Sequence, residues 1–102
     1  MPDKVSNYGG ISVVCPTYNS SAYIQRTIES LLLQKELPEE IIFSDDGSQD
    51  DTINIIENNR TYFEKHIITL KVIQNSHQGP GSARNIGITE SEQPWIAFLD
   101  AD

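Results

Sequence analysis

The chain has 102 residues, with seven basic against fifteen acidic side chains and a formal net charge of −8 at pH 7. At 37% hydrophobic and 22% charged it is expected to form one soluble domain, and the acidic excess argues against nucleic acid as a partner, because a phosphate backbone is held by clustered Lys and Arg. The lone Cys15 excludes an internal disulfide or a cysteine-based zinc site, so a cytoplasmic address follows by default.

Met1 to Gly10 is a polar leader without an apolar signal core, and no later run has the length of a membrane span. Ile11-Ser12-Val13-Val14-Cys15 reads as a buried strand closed by Pro16. Ser20 or Ser21 is then placed to cap a helix with Ile24, Ile28, Leu31 and Leu32 on one face, which Leu37-Pro38 breaks. Ile41 to Ser44 forms a second strand running into Asp45-Asp46-Gly47-Ser48. A second helix, capped by Ser48 or Asp50, carries Ile53, Ile56 and Phe63, and Leu70 to Gln74 makes the third strand. Gly79-Pro80-Gly81-Ser82 turns into a short third helix with Ala83, Ile86 and Gly87 on its tight face. Trp95 to Leu99 closes the series as a fourth strand, before Asp100-Ala101-Asp102.

Strands alternating with helices predict an α/β fold, a parallel sheet covered by helices. Strands one, two and four run out of apolar residues into Thr17-Tyr18-Asn19, Asp45-Asp46 and Asp100-Asp102. Those are carboxyl ends, where open α/β sheets bind ligands. The turn after strand one holds no glycine, Gly79-x-Gly81 matches a dinucleotide fingerprint only in part, and no Walker A loop is present. Tyr18 offers an aromatic face, Asp46 and Asp100 offer acceptors for a base or ribose, and Asp102 is placed to hold a cation. Carboxylates beside a diphosphate call for a hard divalent ion between them, Mg²⁺ or Mn²⁺.

Four segments together, Val13 to Asn19, Asp45 to Thr52, Gly79 to Gly87 and Phe98 to Asp102, resemble the nucleotide-binding half of family 2 glycosyltransferases with the GT-A fold. The resemblance implies strand order 3-2-1-4 and a Rossmann-like half-fold with helices on both faces. It also implies a nucleotide-sugar donor, most often a UDP-sugar, and transfer with inversion to a glycan or other hydroxyl acceptor, as in polysaccharide biosynthesis. Carried over by position, Pro16, Thr17, Tyr18 and Asn19 form the base side, with Thr17 and Tyr18 against uracil. Asp46 accepts from the base N3–H, Arg84 approaches the base or pyrophosphate, Asp100 meets the ribose or sugar, and Asp102 ligates the metal. The resemblance stops at the Asp-x-Asp motif. The expected organisation is therefore a leader over 1–10 and a truncated half-domain over 11–102, with the general base beyond Asp102 and any peripheral membrane contact made by parts outside this chain. Truncation there would leave the fourth strand at an open edge and favour self-association. A non-catalytic nucleotide-binding domain is the alternative function.

Simpler roles exist for most of these residues. Asp46-Gly47-Ser48 is also an ordinary turn and cap, Asp100 and Asp102 are also solvated terminal acids, Tyr18 could pack over the first helix, and Arg84 could pair with Glu90. His66 and His77 lack metal-ligand spacing and receive no function, Cys15 reads as a small buried residue, and the Asn59-Arg60-Thr61 sequon carries little weight without a secretory signal.

Overall fold

A computed structural model describes residues 10–101; most of the leader and Asp102 lie outside the described residues. The elements are β1 (Ile11–Thr17), α1 (Ile24–Leu32), β2 (Glu40–Asp45), α2 (Thr52–Asn58), α3 (Arg60–Lys65), β3 (Thr69–Gln74), α4 (Pro80–Glu90) and β4 (Trp95–Phe98). The four strands form one sheet in the order β3-β2-β1-β4, every pair parallel. The expected strand order and fold class are therefore observed.

Alternation along the strands divides the sheet into two apolar faces. Val13, Cys15, Ile41, Phe43 and Leu70 pack with Ile24, Ile28 and Leu31 of α1, Ile56 of α2 and Phe63 of α3. Phe43 and Phe63 meet edge to face, with centroids 6.1 Å apart at 63°, and burying each ring contributes roughly 2 to 3 kcal/mol. The opposite face is covered by α4, which comes close because Gly87 has no side chain: a Cβ there would lie 2.5 Å from Val14 Cγ1. Helices thus lie on both faces, and all four β4 residues are exposed at the sheet margin.

Three local expectations are corrected. Strand one does not stop at Pro16 but continues through it to Thr17. Val14 O accepts from Leu99 N and Thr17 O from Asp46 N, so the Pro16 nitrogen faces the β4 side, where pairing has ended after Val14 and the missing N–H removes no ladder bond. Ser20 and Ser21 do not cap α1, which begins at Ile24 without a side-chain cap. The Ser20 hydroxyl is turned to the Tyr18 backbone, and Ser21 N donates to Asp50. The single helix expected after β2 is two, α2 and α3, divided at Asn59. The Asn59 amide donates to Ile55 O at 2.7 Å and to Gln25 Oε1 at 2.7 Å, a side-chain competition with helical bonding that bends or breaks helices. Asn59 is 3% exposed, so the sequon is no glycan acceptor in this fold.

Candidate functional site at the carboxyl edge

The two loops that follow β1 and β2 are stitched to each other. Asn19 N donates to Ser48 Oγ at 2.7 Å, Gln49 N to Asn19 Oδ1 at 2.8 Å, and Ser20 N to Thr52 Oγ1 at 2.7 Å. Asn19 takes a left-handed conformation, φ 47°, which asparagine tolerates better than most residues. Asp45 is the inner knot. Its carboxylate, 2% exposed, accepts from Thr17 Oγ1, Ser48 Oγ and Ser48 N at 2.6, 2.6 and 2.7 Å. The Asp-Gly-Ser turn is thus closed by Asp45, which leaves Asp46 to point elsewhere. Gly47 permits this turn because its φ is 86° and a Cβ would lie 3.1 Å from His77 N.

Asp46 reaches the β3–α4 loop. Its Oδ1 accepts from Gln78 N at 2.8 Å and its Oδ2 from Gly79 N at 3.0 Å, and His77 Nδ1 lies 2.8 Å from Oδ2 and 3.1 Å from the Asp46 carbonyl. The Gln78 N–H, reinforced by Gly79 and His77, outweighs burial and holds the Asp46 carboxyl below its ordinary range. The His77 ring also stacks on Tyr18, with centroids 4.4 Å apart at 22°.

The result is a cleft of about 330 Å³ lined by every nucleotide-site residue expected from the sequence that lies among the described residues: Pro16, Thr17, Tyr18, Asn19, Asp46, Arg84 and Asp100. Thr17 spends its hydroxyl on Asp45 and Asn19 its side chain on Gln49, so both shape the wall. Tyr18 is 46% exposed and stacks on His77. Arg84 does not pair with Glu90; its guanidinium lies over the Phe98 ring, 5.6 Å from the centroid, and makes no ion pair among the described residues. Asp100 is fixed by its neighbours, since Leu99 N donates to Val14 O at 3.0 Å and Thr27 Oγ1 to Ala101 O at 2.8 Å. Its own carboxylate accepts nothing from the described residues and faces the cleft. No group of three His, Cys, Asp or Glu is gathered for a metal among the described residues. A hard cation shared with a diphosphate needs only one or two carboxylates, and Asp102, expected from the sequence to hold it, lies outside the described residues.

The site reading passed over Ser20, Tyr23, His77, Pro80, Ala83 and Ala101 of the lining, and of these His77 is the one that bonds Asp46 and stacks on Tyr18. The signal was available: it follows β3 as Tyr18 follows β1, at the same edge of a parallel sheet.

Comparison with known proteins places this geometry in a family. The model of glycosyl transferase family 2 matches residues 12–102. An uncharacterized glycosyltransferase of Haemophilus influenzae is 38% identical over 92 residues, which is 90% of this chain and 36% of that protein. The poly(ribitol-phosphate) beta-N-acetylglucosaminyltransferase TarS of Staphylococcus aureus is 34% identical, over 89% of this chain and 16% of its own length. The crystal structure of TarS 1-349 in complex with UDP superposes with a TM-score of 0.78 at 36% identity, covering 91% of this chain and 27% of that one. Glucosyl-3-phosphoglycerate synthase of Mycobacterium tuberculosis, solved with Mn²⁺, UDP and glucosyl-3-phosphoglycerate, gives 0.69 at 27% identity, covering 92% of this chain and 34% of that one. The chain thus spans about a third or less of the length of these relatives. No helix among the described residues is long and apolar enough to cross a membrane. On the family match and the shared carboxyl-edge fold, this chain belongs to glycosyl transferase family 2.

Proposed function

We propose that the carboxyl-edge cleft binds the donor of a glycosyltransferase, a nucleotide-sugar whose nucleotide is UDP, for inverting transfer to a hydroxyl acceptor. The observation that carries this reading is the meeting in one cleft of the exposed Tyr18 ring, the Arg84 guanidinium, which makes no ion pair among the described residues, and the Asp100 carboxylate. The base stacks against the Tyr18 side. A carboxylate has about four acceptor sites, and the three donors on Asp46 leave one, on Oδ1, for the N3–H of uracil. Arg84 carries positive charge toward the diphosphate, and Asp100 accepts from ribose or sugar hydroxyls. Mn²⁺ or Mg²⁺ would be held by Asp102, two residues after Asp100 in the sequence, together with donor phosphates. Bound there, the ion would offset charge on the leaving diphosphate.

Inverting transfer also needs a base for the acceptor hydroxyl. Among the described lining residues the carboxylates are Asp46, already engaged, and Asp100, assigned to the donor; the base is proposed to come from outside the described residues. The open side of β4 is proposed as a self-association edge, for which light scattering of a concentrated solution should return more than the monomer mass.

Titration calorimetry with UDP, with and without manganese, tests the reading. Tighter binding with manganese is expected; equal affinity removes the metal, and absence of binding removes the site. Release of UDP from UDP-sugars, with and without sugar acceptors, distinguishes transfer from nucleotide binding alone.

A further inference from the structure

We propose that His77 is the positioning residue that sets base preference in this cleft, an inference that rests on the uridine-nucleotide reading above. Two contacts carry it. Its Nδ1 faces only acceptors, the Asp46 carboxylate at 2.8 Å and the Asp46 carbonyl at 3.1 Å. The ring hydrogen is therefore assigned to Nδ1, which donates. That donation, with the bond from Gly79 N at 3.0 Å, fills Oδ2 and leaves Oδ1 as the one oxygen able to accept from a ligand. The same ring lies flat against Tyr18, 4.4 Å between centroids, and fixes the plane of the exposed aromatic surface that a base would meet.

The consequence is a chemical filter. Uracil presents a single N–H on its pairing edge, whereas cytosine presents an amino group beside an unprotonated ring nitrogen. One open acceptor suits the first. A carboxylate with both oxygens open would also accept the cytosine amino group, so losing the His77 donation should erode the distinction. The side chain is 59% exposed while the Asp46 side chain it covers is 4% exposed. Replacing His77 therefore opens the acid without removing a core residue.

The two contacts separate by substitution. Asparagine can donate to Asp46 but cannot stack; phenylalanine can stack but cannot donate. Affinities for UDP and CDP are measured by calorimetry at one fixed manganese concentration for the wild-type chain and for His77→Ala, His77→Asn and His77→Phe, with thermal melts as a check on folding. Expected for His77→Ala is an approximately tenfold weaker grip on UDP and a several-fold smaller UDP-over-CDP ratio, each about the size of one lost contact. His77→Asn should restore the ratio with affinity still low, and His77→Phe should restore affinity with the ratio still low. If the alanine protein does not fold, the contrast between asparagine and phenylalanine decides. Wild-type affinities and ratio in every variant overturn the proposal, as does an equal loss for both nucleotides that neither rescue separates. A wild-type chain that binds neither nucleotide overturns the uridine reading itself, a result distinct from a wild-type chain that binds UDP with His77 irrelevant.

Discussion

At the amino end of β2, Glu40 is 1% exposed and accepts from Ser12 Oγ at 2.5 Å, from Glu92 N at 3.0 Å and from Lys71 Nζ at 3.0 Å. At the carboxyl end, five and six residues later, Asp45 and Asp46 are as deeply buried but are satisfied by hydroxyls, backbone N–H groups and one imidazole. Both ends use a buried acid to pin the loops flanking α4. They differ in where the cation goes. Lys71 is spent inside the amino-end cluster, bridging Glu40, Glu92 and the Glu90 carbonyl. At the carboxyl end the acids need no lysine or arginine, so Arg84 and the Asp100 carboxylate stay available to a ligand. The same device is a closed clamp at one end and the frame of the carboxyl-edge cleft at the other.

Breaking the frame should have the largest effect. Asp46→Ala removes the acceptor of three donors at once, and UDP affinity by calorimetry should fall on the order of 100-fold, with a lower melting temperature as the β3–α4 loop loses its anchor. Breaking the clamp should cost stability alone. Lys71→Met leaves the Glu40 charge buried without its cation, and urea denaturation should show a loss of about 2 kcal/mol while UDP affinity stays within about twofold of wild type. An equal loss of binding in the Lys71 variant would erase the distinction between the two ends.

Acid should weaken both ends together. Burial opposes ionisation of Glu40, but Ser12, the Glu92 N–H and Lys71 outweigh it and lower its carboxyl; Asp46 is lowered chiefly by the Gln78 N–H. Asp50, held by Thr52 and Ser21 against the cost of desolvation, falls from 3.8 to about 2. Carboxyls lowered by folding bind fewer protons folded than unfolded. Their stabilisation is complete above the ordinary carboxylate values and is lost as pH falls through the folded values. Stability by urea titration should be flat near neutrality and decline from about pH 4 toward pH 2; a decline already under way near pH 6 would contradict the assignment to these carboxyls.

The smallest effect concerns a place belonging to neither end. Ile67, 85% exposed, sits at φ 59° between α3 and β3, a left-handed conformation costly for a β-branched residue. Ile67→Gly should raise stability by about 1 kcal/mol without touching UDP binding, measured by the same denaturation and calorimetry.

The strands and their order were legible because each apolar run ends abruptly in polar residues, and the resemblance supplied the order. The cleft lining was legible for the same reason, since parallel strands bring successive carboxyl ends to one edge. The details that escaped depend on partners distant in sequence. Pro16 reads as a stop until the position of β4 shows that its nitrogen faces unpaired space. Asn59, where the expected helix divides, is also bonded to Gln25, 34 residues away. His77 gains its role only through Asp46, 31 residues earlier, and Tyr18 on a third loop. Metal-ligand spacing was the wrong question to ask of that histidine.

The most direct test of the carboxyl-edge cleft as the nucleotide site is a crystal structure of this chain grown with UDP and manganese. The expected density places the uracil ring against the Tyr18 side with its N3–H on Asp46 Oδ1, and the diphosphate within reach of Arg84. UDP bound away from this edge, or a base turned from Asp46 toward solvent, would contradict it.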